Sequence, residues 1–80
     1  MNNMFVKTEN LNFAPPIVGA QILQLFKDKK TNKINILDIM KHLKSQKKIS
    51  PKTLYNALIF LYTIDLIDFN EPYVFLKNET

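Results

Sequence analysis

Asp65 and Asp68 stand three positions apart, the spacing of a carboxylate pair. Such a pair does acid–base work or takes up a cation only with a base, a nucleophile or further ligands beside it. None accompanies it here. His42 is the single histidine and there is no cysteine, so a zinc site lacks the ligands it normally needs. Gly19 is the single glycine, which leaves no glycine-rich loop to cradle a phosphate. Asp65 and Asp68 therefore read as capping, turn or ion-pair residues, and His42 as a surface position on a helix. The expectation is a protein with no metal, no cofactor and no enzymatic activity of its own.

Binding chemistry is better represented. All eleven basic residues are lysine, and the formal net charge is +4. Lys44, Lys47, Lys48 and Lys52, with Lys41 nearby, gather around one polar segment where they can meet phosphates. Without arginine the commonest bidentate reader of guanine is missing. The abundance of Lys, Asn and Ile together also suits a compositional bias, which weakens any inference from charge to nucleic acid. A solvated charged rim is the plainer reading of these lysines. The stretch "ISPKTLYNALIFLYTIDLIDF" carries a different signal. Ser50 is suited to cap a helix and Pro51 to open it. With Leu54, Ala57, Leu58 and Leu61 inward, a helical wheel turns Lys52, Asn56, Ile59 and Thr63 outward. Tyr55 and Tyr62 then lie along one flank and Phe60 along the other. This is a poor surface for reading bases and a good one for a protein groove, because tyrosine joins large contact area to a hydrogen-bonding tip. Three fates are open to it: a partner protein, cover by another part of the chain, or DNA.

The elements that must present these residues follow from periodicity. Residues 1–16 have no helical period and end in two prolines, so they read as an extended arm. "MFVK" within it has the makings of a short strand, and Phe5 and Phe13 are available to help hold a partner or to cover the domain. A first helix is expected from about Pro16 to Lys29, burying Ile17, Ala20, Leu23, Leu25 and Phe26. Ile34 can form a bridge or very short strand, after which Asn35 caps a second helix from Ile36 to about Ser45. Its inward residues are Ile36, Ile39, Met40 and Leu43. "SQKKI" is the turn into a third helix from Pro51 to about Ile64, with Ile64 continuing the buried stripe. "LIDF" and "YVFL" form a hairpin over a connection of about three residues, "NEP". Its tip carries Glu71 and no Lys or Arg, which suits a structural role over contact with DNA. Three helices followed by a hairpin predict a mainly α fold, a winged helix-turn-helix, with the arm over 1–16 and the domain over 17–80.

Eighty residues allow one domain and one core. No apolar stretch reaches the ~18 residues that span a bilayer, and the first residues lack a signal-peptide pattern. With no cysteine, the expectation is a cytoplasmic protein that does not engage a membrane.

The succession "IVGAQILQLF", "INILDIMKHL" and "TLYNALIFLYTIDLIDF" resembles the small middle components of bacterial ABC-three-component systems, in particular the short class called middle component 6. The likeness covers nearly the whole chain. It implies a subunit that bridges a large ABC or SMC-like ATPase and an effector, often a nuclease, as in Lamassu-type anti-phage defence. ATP hydrolysis and DNA cleavage would then belong to the partners. The residues expected to hold the partner are Tyr55, Ile59, Tyr62 and Phe60, with Phe5 and Phe13 from the arm. Lys44, Lys47, Lys48 and Lys52 would add sequence-independent DNA contact. The alternative is a small winged-helix transcriptional regulator that pairs through the tyrosine face and grips DNA through the lysines.

Overall fold

The structure, a computed structural model, describes residues 13–47 and 49–77. Six elements follow in order: α1 (Pro15–Lys29), β1 (Lys33–Asn35), α2 (Ile36–Lys47), α3 (Pro51–Thr63), β2 (Ile67–Asn70) and β3 (Tyr73–Leu76). The strands make one antiparallel sheet in the order β1–β3–β2. The protein is thus mainly helical with a small three-stranded sheet, and Ile34 belongs to a full three-residue strand.

Local chemistry explains most boundaries. Pro15 and Pro16 open α1, where a missing N–H costs nothing. The first helix therefore starts at Pro15, one residue before the expected Pro16, and residues 1–12 of the expected arm lie outside the described residues. Asn35 accepts from the Leu37 N–H at 2.8 Å and so starts α2 as expected. Ser50 accepts from the Thr53 N–H at 3.2 Å, and Pro51 follows it as the first residue of α3. The second helix runs two residues beyond the expected Ser45. That hydroxyl donates back to the His42 carbonyl at 3.3 Å and does not end the helix. The hairpin connection is also tighter than expected, only Glu71 and Pro72 between paired Asn70 and Tyr73, with a cis peptide bond between the two connecting residues.

Both α1 and α3 end in the same motif. The Lys30 N–H donates to the Lys27 carbonyl and the Thr31 N–H to that of Phe26, with Lys30 at φ 53°. At the other helix the Asp65 N–H donates to Tyr62 and the Leu66 N–H to Leu61, with Asp65 at φ 66°. This is the Schellman pattern, which usually places glycine at the left-handed position. The expected result for Lys30→Gly is a gain of about 0.5–1 kcal/mol, or a few degrees in Tm, as the β-carbon penalty is relieved. Thermal unfolding checks it, and a lower Tm would mean that Lys30 does not hold this conformation in solution.

The core joins all three helices to the sheet through Val18, Ile22, Phe26, Ile39, Leu43, Leu54, Leu58, Leu61, Ile67 and Val74. Leu54, Ala57, Leu58 and Leu61 are buried as expected, and so are Ile39 and Leu43, with Ile36 and Met40 packed partly buried against them. Two expectations fail. The buried face of α1 is Val18, Gly19, Ile22, Leu25 and Phe26, while Ile17 is 46% exposed and Ala20 is exposed too. The reason is Gly19. A β-carbon there would sit 3.0 Å from Leu61 Cδ2, so α1 crosses α3 at the one residue without a side chain, and the helix is rotated to put it there. Ile64 is 47% exposed because α3 stops at Thr63 and the chain turns away through left-handed Asp65.

Candidate protein-docking face

With the inward side of α3 committed to the core, Tyr55, Ile59 and Tyr62 form a stripe at i, i+4 and i+7 on its other side. They are 60%, 41% and 51% exposed. The hairpin reaches only one end of this stripe: the ring of Tyr62 lies 5.5 Å from that of Phe69 on β2, tilted by 35°. Contact with Phe69 fixes the orientation of Tyr62 while leaving half its surface open. Tyr55 and Ile59 stay exposed beyond it.

Phe60 occupies a different place. It is partly buried against the core, and its Cδ2 lies 3.6 Å from where a Gly19 β-carbon would be. Its ring therefore lines the crossing of α1 and α3. Phe13 precedes α1 and is 37% exposed. Phe5 lies outside the described residues, with the rest of the arm over residues 1–12. Ile17 and Ile64, which periodicity assigns to the buried side, add exposed apolar surface, as do Leu66 and, on α2, Leu37. For Ile17 the available signal is Gly19, since a lone glycine inside a helix often marks a close helix crossing.

The charged groups belong to several elements. Lys44 on α2 and Lys52 in the first turn of α3 are exposed. Lys47 closes α2, and Lys48 lies outside the described residues. Asp65 pairs with Lys77 across the base of the hairpin. That hydrogen bond to Asp65 is the main cause that holds the Lys77 ammonium above its ordinary pKa. An ion pair is the role the sequence suggests for this aspartate. His42 is exposed, and no group of three or more His, Cys, Asp or Glu gathers among the described residues.

The arrangement can do one thing well. Covering Tyr55, Ile59 and Tyr62 removes large apolar area from water, worth roughly 1.5–3 kcal/mol for a fully buried aliphatic or aromatic side chain. The two hydroxyls can still find partners at the rim. Against a phosphate backbone the same side chains gain little. No helix among the described residues is long and apolar enough to cross a membrane.

A family model described as "ABC-three component (ABC-3C) system Middle Component 6" matches residues 16–76, most of the chain. No curated protein matches the chain, and no solved structure does.

Proposed function

Because the chain belongs to the ABC-three component system Middle Component 6 family, we propose that it is a noncatalytic winged-helix adaptor in a bacterial defence complex. In this reading it bridges an ABC or SMC-like ATPase and an effector, and α3 is its docking element. The observation that carries the proposal is the stripe of Tyr55, Ile59 and Tyr62, exposed on a helix whose other side is fully committed to the core. The element order α–β–α–α–β–β and a sheet ordered β1–β3–β2 support the winged-helix description. The family's name supports an assembly of several components. Lys44 and Lys52 would lend weak contact to DNA phosphates while the complex sits on DNA, with Lys47 and Lys48 continuing that edge in sequence.

The test is purification of a tagged copy from its native operon at about 0.3 M salt, where the Debye length is only ~5–6 Å and loose charge contacts weaken. Recovery of a large ABC-type ATPase together with an effector is the expected result. Exposed Lys52 in the first turn of α3 favours a DNA-binding regulator as the second reading. Recovery of the protein alone, with sequence-selective binding to its own promoter, would replace the adaptor with that regulator.

A further inference from the structure

The sheet has a second face that the core does not use. Ile34, Ile67 and Val74 are buried in the core. Side chains alternate along a strand, so Tyr73 and Phe75 of the central strand β3 point the other way. The register sets their neighbours: Lys33 and Asp68 flank Phe75, while Asn35 and Asn70 flank Tyr73. Both rings are partly exposed, with centroids 6.3 Å apart and planes inclined at 66°. The Lys33 ammonium lies over the Tyr73 ring, 4.4 Å from its centroid. Charge differs from one edge of this face to the other. On the β1 side, Lys27, Lys29 and Lys30 are exposed at the end of α1, interrupted by the single carboxylate of Asp28. Lys30 is three residues from Lys33, a span of at most about 11 Å. On the β2 side stand Asp68 and Asn70. They line a groove of about 520 Å³ over the hairpin with Phe75, Phe69, Leu76 and Lys77.

We propose that this face binds single-stranded nucleic acid, with bases stacked on Phe75 and Tyr73 and the sugar–phosphate backbone along the lysine-bearing β1 edge. Stacking on aromatic rings and attraction to lysines are the two forces that hold an unpaired strand, and both are present on one surface here. A base that takes the face of Tyr73 displaces the Lys33 ammonium, which is then free to meet a phosphate. Rings inclined at 66° suit bases that splay apart, as unpaired bases do and a duplex does not allow. Beside Phe75 the Asp68 carboxylate can accept from the exocyclic amino group of a cytosine. The contact runs through the face of the strands and not through the hairpin tip, where exposed Glu71 would oppose a phosphate. It is a site apart from the stripe of Tyr55, Ile59 and Tyr62 and from Lys44 and Lys52.

The experiment is fluorescence anisotropy of the full chain with a labelled, cytosine-rich DNA strand of about 12 nucleotides, and with its duplex, across a series of salt concentrations. The single strand is expected to bind at least about fivefold more tightly than the duplex, and Phe75→Ala to weaken it at least about fivefold. That substitution removes no charge, so the slope of log affinity against log salt stays the same. Lys33→Gln is expected to lower that slope by about 0.7, the share of one phosphate contact on a single strand. Should Phe75→Ala disturb folding, Phe75→Leu keeps an apolar side chain in the strand while removing the ring. Equal affinity for strand and duplex overturns the proposal, since it leaves the lysines as an unselective cationic surface. So does binding that survives loss of the Phe75 ring, or no binding at about 0.1 mM protein, the weak end for nonspecific contact. None of these outcomes touches the adaptor reading, whose test is the recovery of partners.

Discussion

Ile59→Asp is expected to abolish capture of the partner while the domain melts within about 3 °C of the parent, as surface substitutions outside special sites usually do. Ile59 is the centre of the stripe, flanked by Tyr55 and Tyr62 and 41% exposed. At the centre of a docked face an aspartate loses water and gains no counter-charge, the situation in which burying a charge costs most. A loss of at least about 100-fold in affinity, about 2.7 kcal/mol, is the scale for a central interface residue. Asn56→Asp is the matched control, since it adds the same charge at an exposed position of the same helix. Retained capture by Ile59→Asp would remove α3 from the interface. An insoluble or molten variant would place Ile59 in the core of the protein.

Gly19→Leu is expected to destabilise the fold by about 3 kcal/mol or more, at or beyond the upper end for overpacking a close contact. For a domain of this size that is a large part of the total, which runs at about 0.05–0.15 kcal/mol per residue. The β-carbon alone would stand 3.0 Å from Leu61 Cδ2 and 3.3 Å from Leu61 Cγ, and Leu61 is only 1% exposed, so it has little room to yield. The remaining atoms of a leucine would force α1 off α3. Gly19→Ala is the instructive comparison. It gains about 1 kcal/mol of helix propensity and meets the same tight contact, so the two effects oppose each other at similar size. Combining Gly19→Ala with Leu61→Ala should cost less than the two single changes added together, because the second removes the atoms the first meets. Denaturant unfolding measures all four variants. Gly19→Leu with parental stability would show that the helices do not approach closely at this position.

The three helices and the apolar, aromatic side of α3 are legible in the chain because each rests on local or periodic information. Ser50 and Pro51 announce the start of α3, Asn35 that of α2, and the spacing of Leu54, Ala57, Leu58 and Leu61 separates a buried side from Tyr55, Ile59 and Tyr62. Capping bonds close within a few residues, and a 3.6-residue period needs no knowledge of what the helix packs against. The face of α1 is not legible in the same way. Counting apolar residues favours Ile17 and Ala20, whereas the observed contact is centred near Gly19, which contributes no hydrophobicity and only matters once Leu61 is opposite it. The end of α3 is a second case. The apolar period runs on through Ile64, yet the backbone leaves the helix at Asp65, whose pairing with Lys77 lies twelve positions away. Residue order is enough to say which segments become helices and which side of α3 is apolar beyond the needs of the core. Where two helices touch, and which strand takes the centre of the sheet, emerge only on folding, because both depend on residues far apart in the chain meeting in space.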